Sequence, residues 1–185
     1  MARVPSMMIP LNSRAPDFIL PEVVNELIFS LQQMKGKTAT VIVFICNHCP
    51  FVKNINPQLI QLAHDYANEG VHVIAISSND VMQYPEDGPQ NMKKIAQQLK
   101  YPFPYLFDET QEVAKAYNAA CTPDFFIYDS NLLLTYRGQL DDSRPGNDIP
   151  VSGKDIRAAL ASMINGDPVT TNQKPGIGCS IKWKR

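Results

Sequence analysis

The sequence predicts an α/β domain: a central mixed sheet flanked by helices. Three features carry this reading. Two short β-branched runs, TATVIVFI (38–45) and VHVIAIS (71–77), have the composition of strands buried on both faces. Helical periodicity fills the chain between and after them. Further on, DFFIYD and LLLTYRG are strand-like runs separated by turn formers. A length of 185 residues suits one domain with a sizeable core and is short for two. Residues 1–185 are therefore read as a single domain, with a core over about 15–166 and a C-terminal tail over 167–185 packed on it.

APDFILPEVVNELIFSLQQMKGK is expected to form an added N-terminal hairpin or turn region ahead of the first buried strand. After that strand, Leu59, Leu62, Ala63, Tyr66 and Ala67 share one helical face, and Gly70 is a natural stop. The unit strand, helix, strand implies a parallel pair with a right-handed crossover. SNDVMQYPEDGP is a loop rich in turn formers, and Met92, Ile95, Ala96 and Leu99 mark the next helix. In YPFPYLFD, Pro102 and Pro104 push the strand to their C-terminal side or to a sheet edge. TQEVAKAYN reads as a short helix. A turn at Asp129, Ser130 and Asn131 makes the following two runs an antiparallel hairpin. The last helix runs through Ile156, Leu160 and Ile164 to Gly166, with Ser152 and Asp155 expected to form its capping box. DPVTTNQKPGIGCSIKWKR has too little periodicity to predict a further element, but Ile177, Ile181 and Trp183 are apolar residues that a solvated tail does not need. The order β-α-β-α-β-β-α, with one extra short helix before the hairpin, is that of the thioredoxin fold.

Composition narrows the function. A formal charge of −1 and scattered Lys and Arg offer no basic footprint for nucleic acid, and the short basic end KWKR reads as a solvated tail. Pro5, Pro10, Asn12 and Arg14 interrupt any apolar h-region at the N-terminus, so no signal peptide is read. No window reaches the 18 or so apolar residues of a membrane span. The expectation is a cytoplasmic protein with no membrane partner. The four cysteines are then not expected to form a static disulfide framework.

Cys46 and Cys49 stand three positions apart, where the first buried strand gives way to a polar segment. A helix starting near Cys46 would set its sulfur beside free backbone N–H groups and the positive helix end, an environment that lowers a thiol pKa of about 8.5 to roughly 3.5–7.5. Cys46 is then the nucleophile, and Cys49 is placed to attack a mixed disulfide at Cys46 and release the partner. His48, if protonated, pushes the same way, and Asn47 shares the loop. Pro50 suits an early helical position. A zinc site needs two further ligands, and there is no second C-x-x-C. Cys121, Cys179, His64 and His72 could join only through folding, so no metal and no cofactor are assigned. Thr122 and Pro123, in CTPDFF, stand just before a strand. In thioredoxin-like folds that position holds a cis-proline whose neighbouring backbone faces the C-x-x-C and binds an extended substrate.

FICNHCPFVKNINP, CTPDFFIYD, GQLDDSRPGND and the ending GIGCSIKWK, together with the early APDFILP, resemble the peroxiredoxin-like (thiol-specific antioxidant, or redoxin) branch of the thioredoxin superfamily. The resemblance runs from about Ala15 to the C-terminus. It implies a thioredoxin fold with an N-terminal extension and thiol-based oxidoreductase or antioxidant activity. The active-site pattern departs from it. Peroxiredoxins carry P-x-x-x-T-x-x-C, whose Thr, with a distant Arg, polarises the peroxide. Here Cys46 stands at the Thr position, Cys49 at the peroxidatic position and Ile42 at the Pro. The Arg is not evident, Arg137 being the nearest candidate. The expected activity is thiol–disulfide exchange with protein or small-molecule disulfides, served by a cellular thiol reductant. The alternatives are a peroxidase using Cys49, and a non-catalytic redox sensor or binding protein using the same pair as a switch. Cys179 is read as a structural or spare thiol.

Overall fold

The computed structural model describes residues 3–184. Met1, Ala2 and Arg185 of the basic end lie outside them. The N-terminal region holds β1 (Arg3–Pro5) and a short hairpin of β2 (Ile19–Pro21) and β3 (Ile28–Ser30), followed by the single turn α1 (Leu31–Met34). Ser30 and Gln33 close a capping box on α1, which satisfies backbone donors that so short a helix cannot. β4 (Ala39–Phe44) has every residue buried, as its unbroken apolar composition demands.

Next come α2 (Pro50–Tyr66), β5 (Val71–Ser77), α3 (Pro89–Gln98), β6 (Tyr105–Phe107) and α4 (Glu112–Ala116). Gly70, at φ 73°, takes the left-handed turn between α2 and β5 that a side chain would resist. The chain then runs through β7 (Cys121–Thr122), β8 (Asp124–Asp129), β9 (Leu134–Gly138), α5 (Lys154–Asn165) and β10 (Ile177–Ser180).

The main sheet has five strands in the order β6-β5-β4-β8-β9. β4 runs parallel to β5 and antiparallel to β8, and β6 lies at the edge, where its preceding prolines do no harm. Residues alternate between two cores. Val41, Val43, Val73 and Ile127 meet Leu59 and Leu62 of α2, Met92 of α3 and Leu160 of α5. Ile42, Phe44, Ile74 and Phe126 meet Leu31 of α1, Ala114 of α4 and Tyr117. Each such buried side chain contributes about 1.5–3 kcal/mol relative to exposure. The mixed sheet covered by helices is the thioredoxin-like architecture.

A second sheet of three strands, β1-β10-β7, joins the two ends of the described chain to the segment before Pro123. No element was expected at β10, because four residues with a glycine among them show no period. It pairs antiparallel to β7, with Cys179 opposite Thr122 and Ser180 opposite Cys121. The capping box expected on α5 is not formed. Gly153 is the N-cap residue; Asp141 accepts from the N–H groups of Ser152 (2.7 Å) and Gly153 (2.6 Å), and Asp155 is drawn away to Gln139 (2.7 Å). A carboxylate buried nearby competes better for those amides than the Ser152 hydroxyl. Phe51 and Phe103 are buried in the core. No helix among the described residues is long and apolar enough to cross a membrane.

Candidate active site

The strand β4 delivers the chain to Cys46, a short loop carries Asn47 and His48, and Cys49 is the N-cap residue of α2. The helix expected to start near Cys46 therefore begins at Pro50, four residues on, where the missing N–H costs little. The positive end of α2 acts on Cys49 first. Both sulfur-bearing residues are buried, Cys46 at 1% and Cys49 at 0% exposure.

Thr122 faces both of them. Its hydroxyl lies 3.5 Å from Cys46 Sγ, and its carbonyl accepts from Cys49 Sγ at 3.2 Å. The Thr122–Pro123 peptide is cis, as expected. The Cys46 thiol donates to Cys49 and, against the opposing effect of burial, holds the Cys49 pKa below the ordinary thiol value; Thr122, the Cys179 thiol and the Val52 N–H act in the same direction. Cys46 is correspondingly pushed up, by that same bond and by burial.

A carboxylate unforeseen in the sequence organises the loop. Asp87, fully buried, accepts from the Asn47 N–H (2.8 Å), the His48 N–H (3.2 Å) and Asn79 Nδ2 (2.8 Å), and bonds His48 Nδ1 at 2.6 Å. Its bond to His48 raises the His48 pKa although burial opposes this. Burial also works against the Asp87 charge, but the bonds from His48 and Asn79 outweigh it and hold the Asp87 pKa below the usual carboxylate value. His48 stacks on Tyr84, with ring centroids 5.2 Å apart, and its Nδ1 lies 3.8 Å from Cys46 Sγ. Its Nε2 is buried with no partner among the described residues. Asn47 is fixed at both ends of its amide, by the Glu86 carbonyl (2.7 Å) and the Tyr105 hydroxyl (3.2 Å). Nothing in SNDVMQYPEDGP set Asp87 apart from an ordinary turn former.

Cys46 Sγ, His48 Nδ1 and an Asp87 oxygen lie within 4.8 Å of one another, which makes them the set best placed to hold a metal ion among the described residues. The donors and acceptors of that set are already bonded to each other and to Asn79, so an ion there would displace an existing hydrogen-bond network. Arg137, the candidate for a peroxide-polarising arginine, is elsewhere. It is fully buried and pairs with Asp124, with Nη2 to Oδ2 at 3.0 Å. Cys121 and Cys179 are both free thiols. Facing Ser180 and Thr122 respectively, they sit on opposite faces of the small sheet. Cys121 turns to the Pro123 carbonyl (3.7 Å), and burial pushes its pKa up.

A model of the AhpC/TSA family matches residues 11–137. Among solved structures, one described as an uncharacterized conserved protein from Geobacillus kaustophilus is 60% identical, with a TM-score of 0.98 over 100% of this chain and 97% of its own. A hypothetical protein from Sinorhizobium meliloti is 47% identical, with a TM-score of 0.95 over 97% of this chain and 98% of its own. A thiol:disulfide interchange protein from Chlorobium tepidum shares the fold at 19% identity, with a TM-score of 0.64 over 85% of this chain and 99% of its own. No significant match was found among curated proteins.

Proposed function

The chain belongs to the AhpC/TSA family, and from that premise we propose that it is a thiol–disulfide oxidoreductase with an antioxidant role, acting through a Cys46–Cys49 dithiol/disulfide pair. The observation that carries this reading is Thr122, whose hydroxyl and carbonyl address the two sulfurs at the start of α2. Cys46, on the polar His48 side, attacks one sulfur of the substrate disulfide and passes its proton to Cys49. The other substrate sulfur leaves as a thiolate and takes up that proton. Cys49, again a thiolate, then attacks Cys46 Sγ and expels the second substrate sulfur as a thiolate, which takes a proton from solvent. The substrate gains two electrons, and the protein is left with a Cys46–Cys49 disulfide that a cellular thiol reductant reopens. His48 Nε2 supplies a donor for the bound partner. Protein and small-molecule disulfides are the proposed substrates.

Peroxide is the weaker substrate in this reading. Its cleavage develops charge on the departing oxygen, and each preorganised donor for such charge is worth about 2.7–4 kcal/mol, a factor of roughly a hundred or more. Cys46 replaces the threonine that would supply one donor, and the Arg137 guanidinium is committed to Asp124. Sulfur leaving groups need no such pocket. The test is to measure second-order rate constants for a model disulfide and for hydrogen peroxide, at one pH, in wild type, Cys46→Ser and Cys49→Ser. The expected result is much faster disulfide reaction, lost in both variants. Fast peroxide consumption that survives Cys46→Ser and vanishes with Cys49→Ser would identify a Cys49 peroxidase instead. A single slow oxidation without turnover would identify a sensor.

A further inference from the structure

The ending GIGCS has no role in the two-cysteine cycle, yet the fold carries it into the site. Gly178 allows this. A Cβ there would lie 2.2 Å from the Thr122 carbonyl oxygen and 2.7 Å from the Thr122 carbonyl carbon, so only glycine lets β10 press against that peptide. The next residue, Cys179, is the cross-strand partner of Thr122, whose carbonyl oxygen lies 3.2 Å from Cys49 Sγ. Thr122 thus touches Cys46 with its hydroxyl and Cys49 with its carbonyl, and is paired with Cys179. The Thr122 peptide therefore brings Cys46, Cys49 and Cys179 to one place. All three residues lie in one buried cluster, Cys179 being 2% exposed.

We propose that Cys179 is a third redox thiol, which takes over the disulfide from Cys46 by attacking Cys49. This rests on the dithiol cycle proposed above. The Cys179 thiolate bonds Cys49 Sγ, the Cys46–Cys49 bond breaks, and the proton lost by Cys179 ends on Cys46. The step is an internal exchange with no net oxidation. It leaves a Cys49–Cys179 disulfide inside the domain and a free Cys46, ready to meet another substrate or the incoming reductant. Burial first, and then the neighbouring Cys49, push the Cys179 pKa up to about 12, which keeps it a thiol in the reduced protein. Cys121 is excluded from the exchange because it points to the other face of the small sheet.

The test oxidises the full chain with glutathione disulfide and maps linkages by mass spectrometry without reduction, in wild type, Cys46→Ser and the double variant Cys46→Ser/Cys179→Ser. In Cys46→Ser, Cys49 should first capture glutathione, and Cys179 should then release it, leaving a Cys49–Cys179 disulfide. In the double variant that release is lost and the glutathione adduct on Cys49 persists. A persistent adduct in Cys46→Ser itself, with Cys46–Cys49 forming normally in wild type, overturns the third-thiol proposal alone. Absence of any Cys46–Cys49 disulfide in wild type overturns the dithiol cycle. Cys46→Ala replaces Cys46→Ser if circular dichroism shows the serine variant unfolded, and the same two outcomes then decide.

Discussion

At the scale of single residues, His48 and Asp87 set the charge beside the thiols. The raised His48 pKa keeps its imidazolium above the ordinary value of about 6.5. The associated stability is fully present below that unfolded-state value and is lost as pH rises through the folded one. On oxidised protein, where Cys46 and Cys49 do not titrate, urea unfolding should therefore show stability declining above about pH 6.5, and His48→Gln should remove that decline. Asp87→Asn should move the NMR titration midpoint of His48 downward; an unchanged midpoint would show that Asp87 does not set it. The Cys49 thiol has the opposite sign. With its folded pKa depressed, Cys49 gives the reduced protein stability that is present above the unfolded value of about 8.5 and lost as pH falls through the folded one. Ultraviolet thiolate absorbance should accordingly persist well below about pH 8.5 in reduced wild type and vanish there in Cys49→Ser. The cysteine pair was legible because a C-x-x-C announces itself at short range. Asp87 was not, since it reaches His48 from 39 positions away, out of a loop whose sequence reads as a run of turn formers.

At the scale of elements, legibility followed length. β4, β5 and α2 carry enough apolar residues for a period to show, and they stand where the pattern put them. β1 and β10 are three and four residues long, and their hydrogen bonds, not their side chains, make them strands. α2 begins four residues beyond Cys46 because strand exit and helix entry are joined by a loop whose backbone N–H groups bond Asp87. β10 offers the sharpest test at this scale. Gly178→Val puts carbon atoms where the Thr122 carbonyl stands, and β10 must move. Overpacking of this kind costs about 1–3 kcal/mol. The expected result is a lower denaturation midpoint together with faster alkylation of Cys179, read by mass spectrometry. Unchanged alkylation would mean that the close approach does not hold Cys179 in place.

At the scale of the whole molecule, a buried ion pair ties the sheet to the N-terminal segment. Arg137 on β9 pairs with Asp124 on β8, donates to the Phe125 carbonyl (3.0 Å) and the Met7 carbonyl (3.1 Å), and lies 3.9 Å above the Phe126 ring. Asp124 also accepts from Ser6 (2.6 Å) and the Ala120 N–H (2.9 Å). Removing one partner leaves the other charge buried, so Arg137→Met should cost about 3–5 kcal/mol in chemical denaturation. The ratio of disulfide to peroxide rates should stay as in wild type; a selective loss of the peroxide rate would give Arg137 a catalytic part. The sequence marked Arg137 only as a misplaced catalytic arginine, because a partner thirteen positions away is not visible in any local pattern. The three-stranded sheet has a consequence for biosynthesis. β10 leaves the ribosome after every other element described here, yet it supplies the wall against Cys49. Until β7 and β10 have both emerged, the contacts of Thr122 with the two sulfurs and the strand that backs it cannot form, so the enclosure of the dithiol is among the last features of the fold to be completed.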